Sequence, residues 1–373
     1  MAFKKRNKLV ENTWNMLRYL YDELCGKKFK DFDISEVNTI DELYALVICK
    51  WCANIAREGL YKEYVTIEGE ELTSPKGQID IQQSIVMQSR SRGALICNYD
   101  ELSADVYVNH ILKAALIELS ADSKAPEWIK TELQKAIMLF NGVSAIDLTF
   151  VKWKTVKYDN SNIRYKHLIE VIRNYLFERK MVAQGVLDDN TRTYQLFKKQ
   201  LAKWIRKEYG EPKPDDEDYI PDIVETIEEP FTLSSEPAFE YKINRTQKVV
   251  VVRTDEVAMM VCVRLQTKQV LEDSVLVRQH MEELVGYMRD YVADTKLKTS
   301  GVILYVNVTP ALNMQPIVIN VVNDYTVGTD VVDLHDDWQY TKFKVNEAYK
   351  YFIARSKNKN SGGKRKYTGV SED

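Results

Sequence analysis

Three side chains in the second half of the chain have types and spacing that could do chemistry together. Asp222 lies in Ile220-Pro-Asp-Ile-Val224, and Phe239-Glu240-Tyr-Lys242 follows 18 residues later. An acid on one strand and an acid-x-lysine on the next is a metal-dependent hydrolytic arrangement. The two carboxylates hold a divalent cation that activates water and neutralises charge building on a phosphate. The lysine orients the water or stabilises the transition state. One intervening residue puts acid and lysine on the same side of a strand. Against this stands Pro237, which lacks the donor that a central strand needs. An acid-x-lysine also arises easily by chance among 55 acidic and 52 basic residues.

These residues need a scaffold, and the periodicity supplies one. Helical spacing is predicted over residues 8–25, 39–57, 103–119, 126–140, 165–180, 191–209 and 275–292, with a last helix ending near Ala354. Thr39-Ile-Asp-Glu42 has the form of a capping box. Strand-like segments are Tyr64–Glu68, Gln78–Gln82, Leu148–Val156, Ile220–Thr226, Ala238–Ile243, Lys248–Val252, Val257–Leu265, Gly301–Val308 and Ile317–Val322. The polar break Asn160-Ser-Asn-Ile163 suggests a boundary, which gives domains 1–158 and 159–355. The Lys-, Asn- and Gly-rich stretch 356–373 reads as a disordered basic tail that could grip DNA phosphates.

A chain of 373 residues can hold two cores, and 45% hydrophobic with 29% charged residues is ordinary for a globular protein. A net charge of -3 argues against a uniformly basic nucleic-acid coat and leaves room for a local basic groove. No apolar run approaches the roughly 20 residues of a membrane span. The basic start is followed by polar sequence, so a cytoplasmic location is expected. Cys49-Lys-Trp-Cys52 has redox or zinc-like spacing, but it lies in an apolar helical run and reads as a pair of core thiols. The four histidines are too scattered to form a recognisable metal motif.

Two segments of the first half carry a family resemblance. Ser74-Pro-Lys-Gly-Gln-Ile-Asp80 is followed by Asn98-Tyr-Asp-Glu-Leu-Ser103 and Asn109-His-Ile-Leu-Lys113. Together they resemble the McrC family, the non-motor subunits of McrBC-type modification-dependent restriction systems. There an "RGKI" turn precedes a "YDE(F/L)S…NR(I/L)(I/L)K" run. The resemblance implies a mixed α+β N-terminal domain that docks on a hexameric McrB-like AAA+ GTPase, followed by a restriction-endonuclease-like (PD-(D/E)xK) α/β domain. Lys76, Gly77, His110 and Lys113 are then the candidates for partner binding. The bland reading makes Gly77 a tight turn and Asp100 or Ser103 a helix cap. His110 replaces the family's usual arginine.

The same resemblance sets a second register for the chemistry. Lys248-Val-Val-Val-Val252 is similar to the family's "KVLIIDAK", which puts Arg253 at the acid position and Asp255 at the lysine position. Thr193-Tyr-Gln195-Leu-Phe stands for "LYEKF", so a helical glutamate has become Gln195. Tyr287-Met-Arg-Asp-Tyr291 stands where QxxxY is expected. In this register the nuclease motif is degenerate and no cofactor is needed. In the alternative, Asp222 and Glu240 are Mg²⁺ ligands and, with Lys242, make an active DNA endonuclease. A third reading is a stand-alone DNA-binding protein on a nuclease-like scaffold.

Overall fold

The computed structural model describes residues 7–25, 33–88, 93–185, 187–215, 220–228, 247–266, 274–307, 318–322, 325–334 and 338–354. The chain divides into two compact units, residues 23–184 and residues 1–22 with 185–373. This differs from the boundary expected near residue 158. The polar break does precede a helix, but that helix packs back on the N-terminal unit, and packing rather than composition sets the division.

The N-terminal unit is built on buried helices. α2 (Ile40–Glu58) carries the densest apolar run and buries both Cys49 and Cys52. Burial pushes the Cys49 thiol up to about 12 and raises Cys52 as well, as expected of core thiols. Thr39 caps α2 by accepting from the Glu42 N–H at 3.1 Å, and Glu42 reaches back to the Asn38 N–H at 2.7 Å. α4 (Tyr107–Ser120), α5 (Glu127–Met138) and α6 (Ile163–Ala183) complete this core. Beside them lies a three-stranded antiparallel sheet of order β1-β3-β2, formed by Glu63–Leu72, Leu95–Ser103 and Gln78–Ile79. Strand β2 is only two residues long, and the chain turns at once into α3 (Ile81–Gln88). Leu148–Val156, expected as a strand, forms two short 3-10 turns instead.

The second unit holds a six-stranded mixed sheet of order β4-β5-β6-β7-β9-β8. Its strands are β4 (Ile223–Glu228), β5 (Gln247–Arg253), β6 (Val257–Leu265), β7 (Lys298–Asn307), β8 (Val318–Val322) and β9 (Tyr325–Asp333). The β4–β5, β5–β6 and β8–β9 pairs are antiparallel, while β6–β7 and β7–β9 are parallel. Helix α1 (Lys8–Cys25, its residues to Asp22), α7 (Asp189–Tyr209), α8 (Ser274–Thr295) and α9 (Trp338–Tyr349) accompany it. Alternation puts Val249, Val251, Met260, Cys262, Ile303 and Tyr305 on the face that α8 covers with Met281, Leu284, Val285 and Met288. The backbone at Gly301 approaches α8 so closely that a Cβ there would lie 2.7 Å from Leu284 Cδ2. Val250, Val252, Met259 and Val261 point the other way and are equally buried. Sequence periodicity missed β9. Its buried Asp330 interrupts the apolar pattern, and the Lys344 ammonium, 2.8 Å away on α9, together with the Val331 N–H makes it tolerable. Burial raises the Asp330 pKa, and Lys344 opposes that rise.

Candidate functional site

The residues singled out for chemistry gather around β4 and β5 without converging on one point. Asp222 immediately precedes β4 and is buried. Its N–H donates to the Tyr209 carbonyl at 2.7 Å, and its carboxylate accepts from the Tyr349 hydroxyl. The Tyr209 and Tyr349 rings stack at 4.3 Å and 26°, so α7 fixes the Asp222 backbone while α9 engages its carboxylate.

Arg253 ends β5 opposite Ile223, next to Asp222 along the chain. Its guanidinium turns to a different helix. Nε donates to Glu225 Oε1 at 2.7 Å, and the Tyr291 hydroxyl of α8 donates to Glu225 Oε2 at 3.0 Å. The two-residue strand period places Glu225 and Arg253 with Val249 and Val251 on the α8 face. Burial and the neighbouring Glu225 carboxylate push Tyr291 up to about 12. Asp255 lies at the tip of the β5–β6 turn, exposed, where the Thr254 hydroxyl accepts from the Glu256 and Val257 amides. Strand β5 therefore does not continue far enough for positions 253 and 255 to share a strand face. Tyr287 packs half-buried against the α8 core. The Gln195 Oε1 atom is buried with no hydrogen-bond partner among the described residues. Glu240, Lys242 and the expected strand Ala238–Ile243 lie outside the described residues, as does the basic tail.

Neither β5 nor β6 carries a carboxylate along its whole length. Among the described residues no group of three or more His, Cys, Asp or Glu side chains could hold a metal ion. A divalent cation such as Mg²⁺ needs several oxygen ligands, and here the Asp222 carboxylate is engaged by Tyr349 and the Glu225 carboxylate by Arg253 and Tyr291. The described donor set does not fit that ion.

The N-terminal candidates divide into two local assemblies. Gly77 turns the chain at φ 64°, where a Cβ would meet Asn98 O at 2.4 Å and Tyr99 Cβ at 2.5 Å. Only glycine fits there. Lys76 sits 3.7 Å over the Tyr99 ring and 3.3 Å from Glu101. His110 and Lys113 lie on α4. His110 Nε2 is 2.6 Å from Asp105 Oδ1, and Asp105 also accepts from the Ser144 N–H and hydroxyl. The Ser144 backbone amide is the main reason the Asp105 carboxyl sits below its ordinary pKa. Lys113 Nζ donates to the Val143 carbonyl. Both side chains thus tie α4 to the 143–144 loop. Neither Asp100 nor Ser103 caps α4, whose N-cap is Val106. Asp100 accepts from Thr66, and Ser103 accepts from the Asp105 N–H.

Sequence reasoning missed the exposed apolar surface of this unit. Ser84 is only 4% exposed and bonds the Ile96 N–H at 2.8 Å, while Ile81 and Ile85 on the same helix are 68% and 65% exposed. Tyr64 and Leu102, cross-strand partners on β1 and β3, are exposed too. The signal was present as Ile81 and Ile85 at helical spacing, but helical periodicity does not tell which side faces solvent.

Comparison with known proteins assigns the family. The McrBC 5-methylcytosine restriction system component matches residues 3–208, more than half of the chain. The chain belongs to this family, as an McrC-like subunit. A solved structure described as a refined half-complex from a tetradecameric assembly of Thermococcus gammatolerans McrB AAA+ hexamers with bound McrC shares the fold. The match has a TM-score of 0.52 at 13% identity and covers 93% of this chain and 78% of that one. A chain from the cryo-EM structure of the Thermococcus gammatolerans McrBC complex matches at 18% identity and a TM-score of 0.35, over 46% of this chain and 56% of that one. No curated protein matches the sequence. The family match ends at the close of α7, before β4. No helix among the described residues is long and apolar enough to cross a membrane.

Proposed function

We propose that this chain docks on an McrB-like AAA+ GTPase hexamer through residues 1–155 and stimulates it, within a cytoplasmic anti-phage assembly acting on DNA. Its second unit is read as a restriction-endonuclease-like domain with a degenerate PD-(D/E)xK site. The observation that carries the second statement is the composition of β5 and β6. In the family pattern an acid strand and an acid-x-lysine strand precede a helix and a further strand. With β5 taken as the acid-x-lysine strand, the acid position falls on Arg253 and the lysine position on Asp255, and among the described residues neither β5 nor β6 holds an acid. Docking is supported by the apolar side chains that α3 and the small sheet leave in solvent.

The test has two arms. The purified chain is combined with an McrB-like AAA+ GTPase from the same genome, and GTP turnover is measured. Stimulation is expected, and unchanged turnover at saturating chain would reject docking. Plasmid nicking with Mg²⁺ or Mn²⁺ is then compared for wild type, Glu240→Ala and Lys242→Ala, with and without the motor. No cleavage is expected. Cleavage lost in both variants would establish the active-nuclease alternative, and cleavage that survives both would place the site elsewhere.

A further inference from the structure

The second unit contains a cleft of about 510 Å³ that none of these roles uses. Helix α1 forms one wall, with Lys8, Asn12, Asn15 and Arg18 falling on one side at spacings of three and four residues. Helices α7 and α9 supply Phe197, Gln200, Trp338 and Thr341. Phe197 and Trp338 meet edge to face at 5.7 Å and 82°, a rigid aromatic wall.

The polar groups beside that wall lack partners. Gln200 is 4% exposed and Thr341 2%, yet neither side chain makes a hydrogen bond among the described residues. The Trp338 indole N–H is buried and also without a partner there. Gln200 and Thr341 line the cleft with hydrogen-bonding capacity that no side chain uses, so a ligand with a polar edge can engage them. An amide offers a donor and an acceptor side by side, and a hydroxyl can act as either.

The charge of the rim narrows the choice. Lys8 and Arg18 share the rim with Glu11 and Asp333, so the lining has no net charge and suits a group that brings one phosphate into the cleft. An aliphatic ligand would leave Gln200 and Thr341 unpaired. A planar heterocycle with neighbouring donors and acceptors satisfies both the aromatic wall and the amide, and the volume lies in the usual range for small-ligand sites. Lys8 and Arg18 make no ion pair among the described residues, so either can meet one phosphate.

We propose that this cleft binds a nucleotide unit. The base lies against Trp338, which the buried Phe197 braces from behind, and bonds Gln200 and Thr341, and its phosphate faces Lys8 or Arg18. The ligand is either a free nucleotide or one residue of a single strand, since both present the same groups.

Calorimetric titration of the full-length chain separates these sources. The probes are the four deoxynucleoside 5′-monophosphates, a single-stranded hexadeoxynucleotide and inorganic phosphate. Binding of a monophosphate identifies a free-nucleotide site, and binding of the hexamer alone identifies a strand site. Gln200→Ala and Thr341→Val are expected to weaken the bound probe by on the order of tenfold each, as for loss of a ligand hydrogen bond. The rim double variant Lys8→Ala/Arg18→Ala, chosen to leave the buried wall intact, should weaken nucleotide but not the corresponding nucleoside. Thermal melting of each variant confirms that the fold is retained. No binding by any nucleotide probe at millimolar concentration would overturn the proposal. So would equal binding of inorganic phosphate, or an affinity unchanged in both the Gln200 and the rim variants. No motor protein enters the experiment, so its outcome is separate from the docking test.

Discussion

The two sheets of this protein treat their apolar side chains in opposite ways. In the six-stranded sheet, neighbouring valines and methionines of β5 and β6 are buried on both faces, with α8 covering one of them. In the three-stranded sheet, Tyr64, Val65, Ile79 and Leu102 remain in solvent, and α3 buries its serine while exposing its isoleucines. Strands β5 and β6 of the first sheet find their cover within its own unit. The second has apolar surface without an internal cover, the condition that marks an interaction face. Apolar content alone therefore does not say whether a strand stabilises the fold or serves a partner.

The contrast is sharpest if one residue from each sheet's neighbourhood is removed. Leu284→Ala should cost about 2–5 kcal/mol in urea unfolding, because Leu284 is fully buried against Gly301 and the remaining core cannot close the cavity. A loss below about 1 kcal/mol would mean that α8 is not the principal cover of that face. Ile81→Ser with Ile85→Ser should leave stability within about 1 kcal/mol, as expected for two exposed positions. The same double variant should lower GTPase stimulation on the order of tenfold if the face serves the motor, equivalent to about 1.4 kcal/mol of binding. Full stimulation would move docking to another surface.

A smaller effect should appear in acid. Lys135 and Lys50 hold the Glu132 carboxylate down to about 2, against an ordinary 4.5. A pKa lowered by folding stabilises the folded state above the unfolded value, and that contribution is lost as pH falls toward the folded one. The N-terminal unit should therefore lose stability progressively between pH about 4.5 and 2. Glu132→Gln should flatten this decline, and an identical acid profile in the variant would remove the pairing from the account. The smallest effect is a predicted absence of reaction. At pH 8 in a Cys25→Ser background, Ellman's reagent should leave the native protein's Cys49 and Cys52 unmodified, because burial suppresses their thiolates. Rapid modification before unfolding would contradict their burial.

Helices were legible from a long apolar stripe, reinforced by a side-chain cap in α2 and α7. Strands β5, β6 and β7 were legible because β-branched runs buried on both faces leave little alternative. Strand β9 was not, because Asp330 breaks its pattern and Lys344, which compensates, lies 14 residues away on another element. Leu148–Val156 failed in the opposite sense. Alternation was present, but the segment gained no strand partner and closed into 3-10 turns.

At the candidate site the sequence by itself determined which side chains exist: the turn glycine at 77, the acid at 222 and the acid-free runs 247–253 and 257–265. Together with the N-terminal segments these were enough to indicate the family. Only the tertiary structure decided what those side chains do. It paired Arg253 with Glu225 rather than with a metal ligand, put Asp255 on a turn, bound Asp222 to Tyr349 and left Ile81 and Ile85 in water. The physical reason is that residue type and local period fix what a side chain can offer. Its partner is set by strand register and helix packing, which join residues up to 127 positions apart in the case of Asp222 and Tyr349.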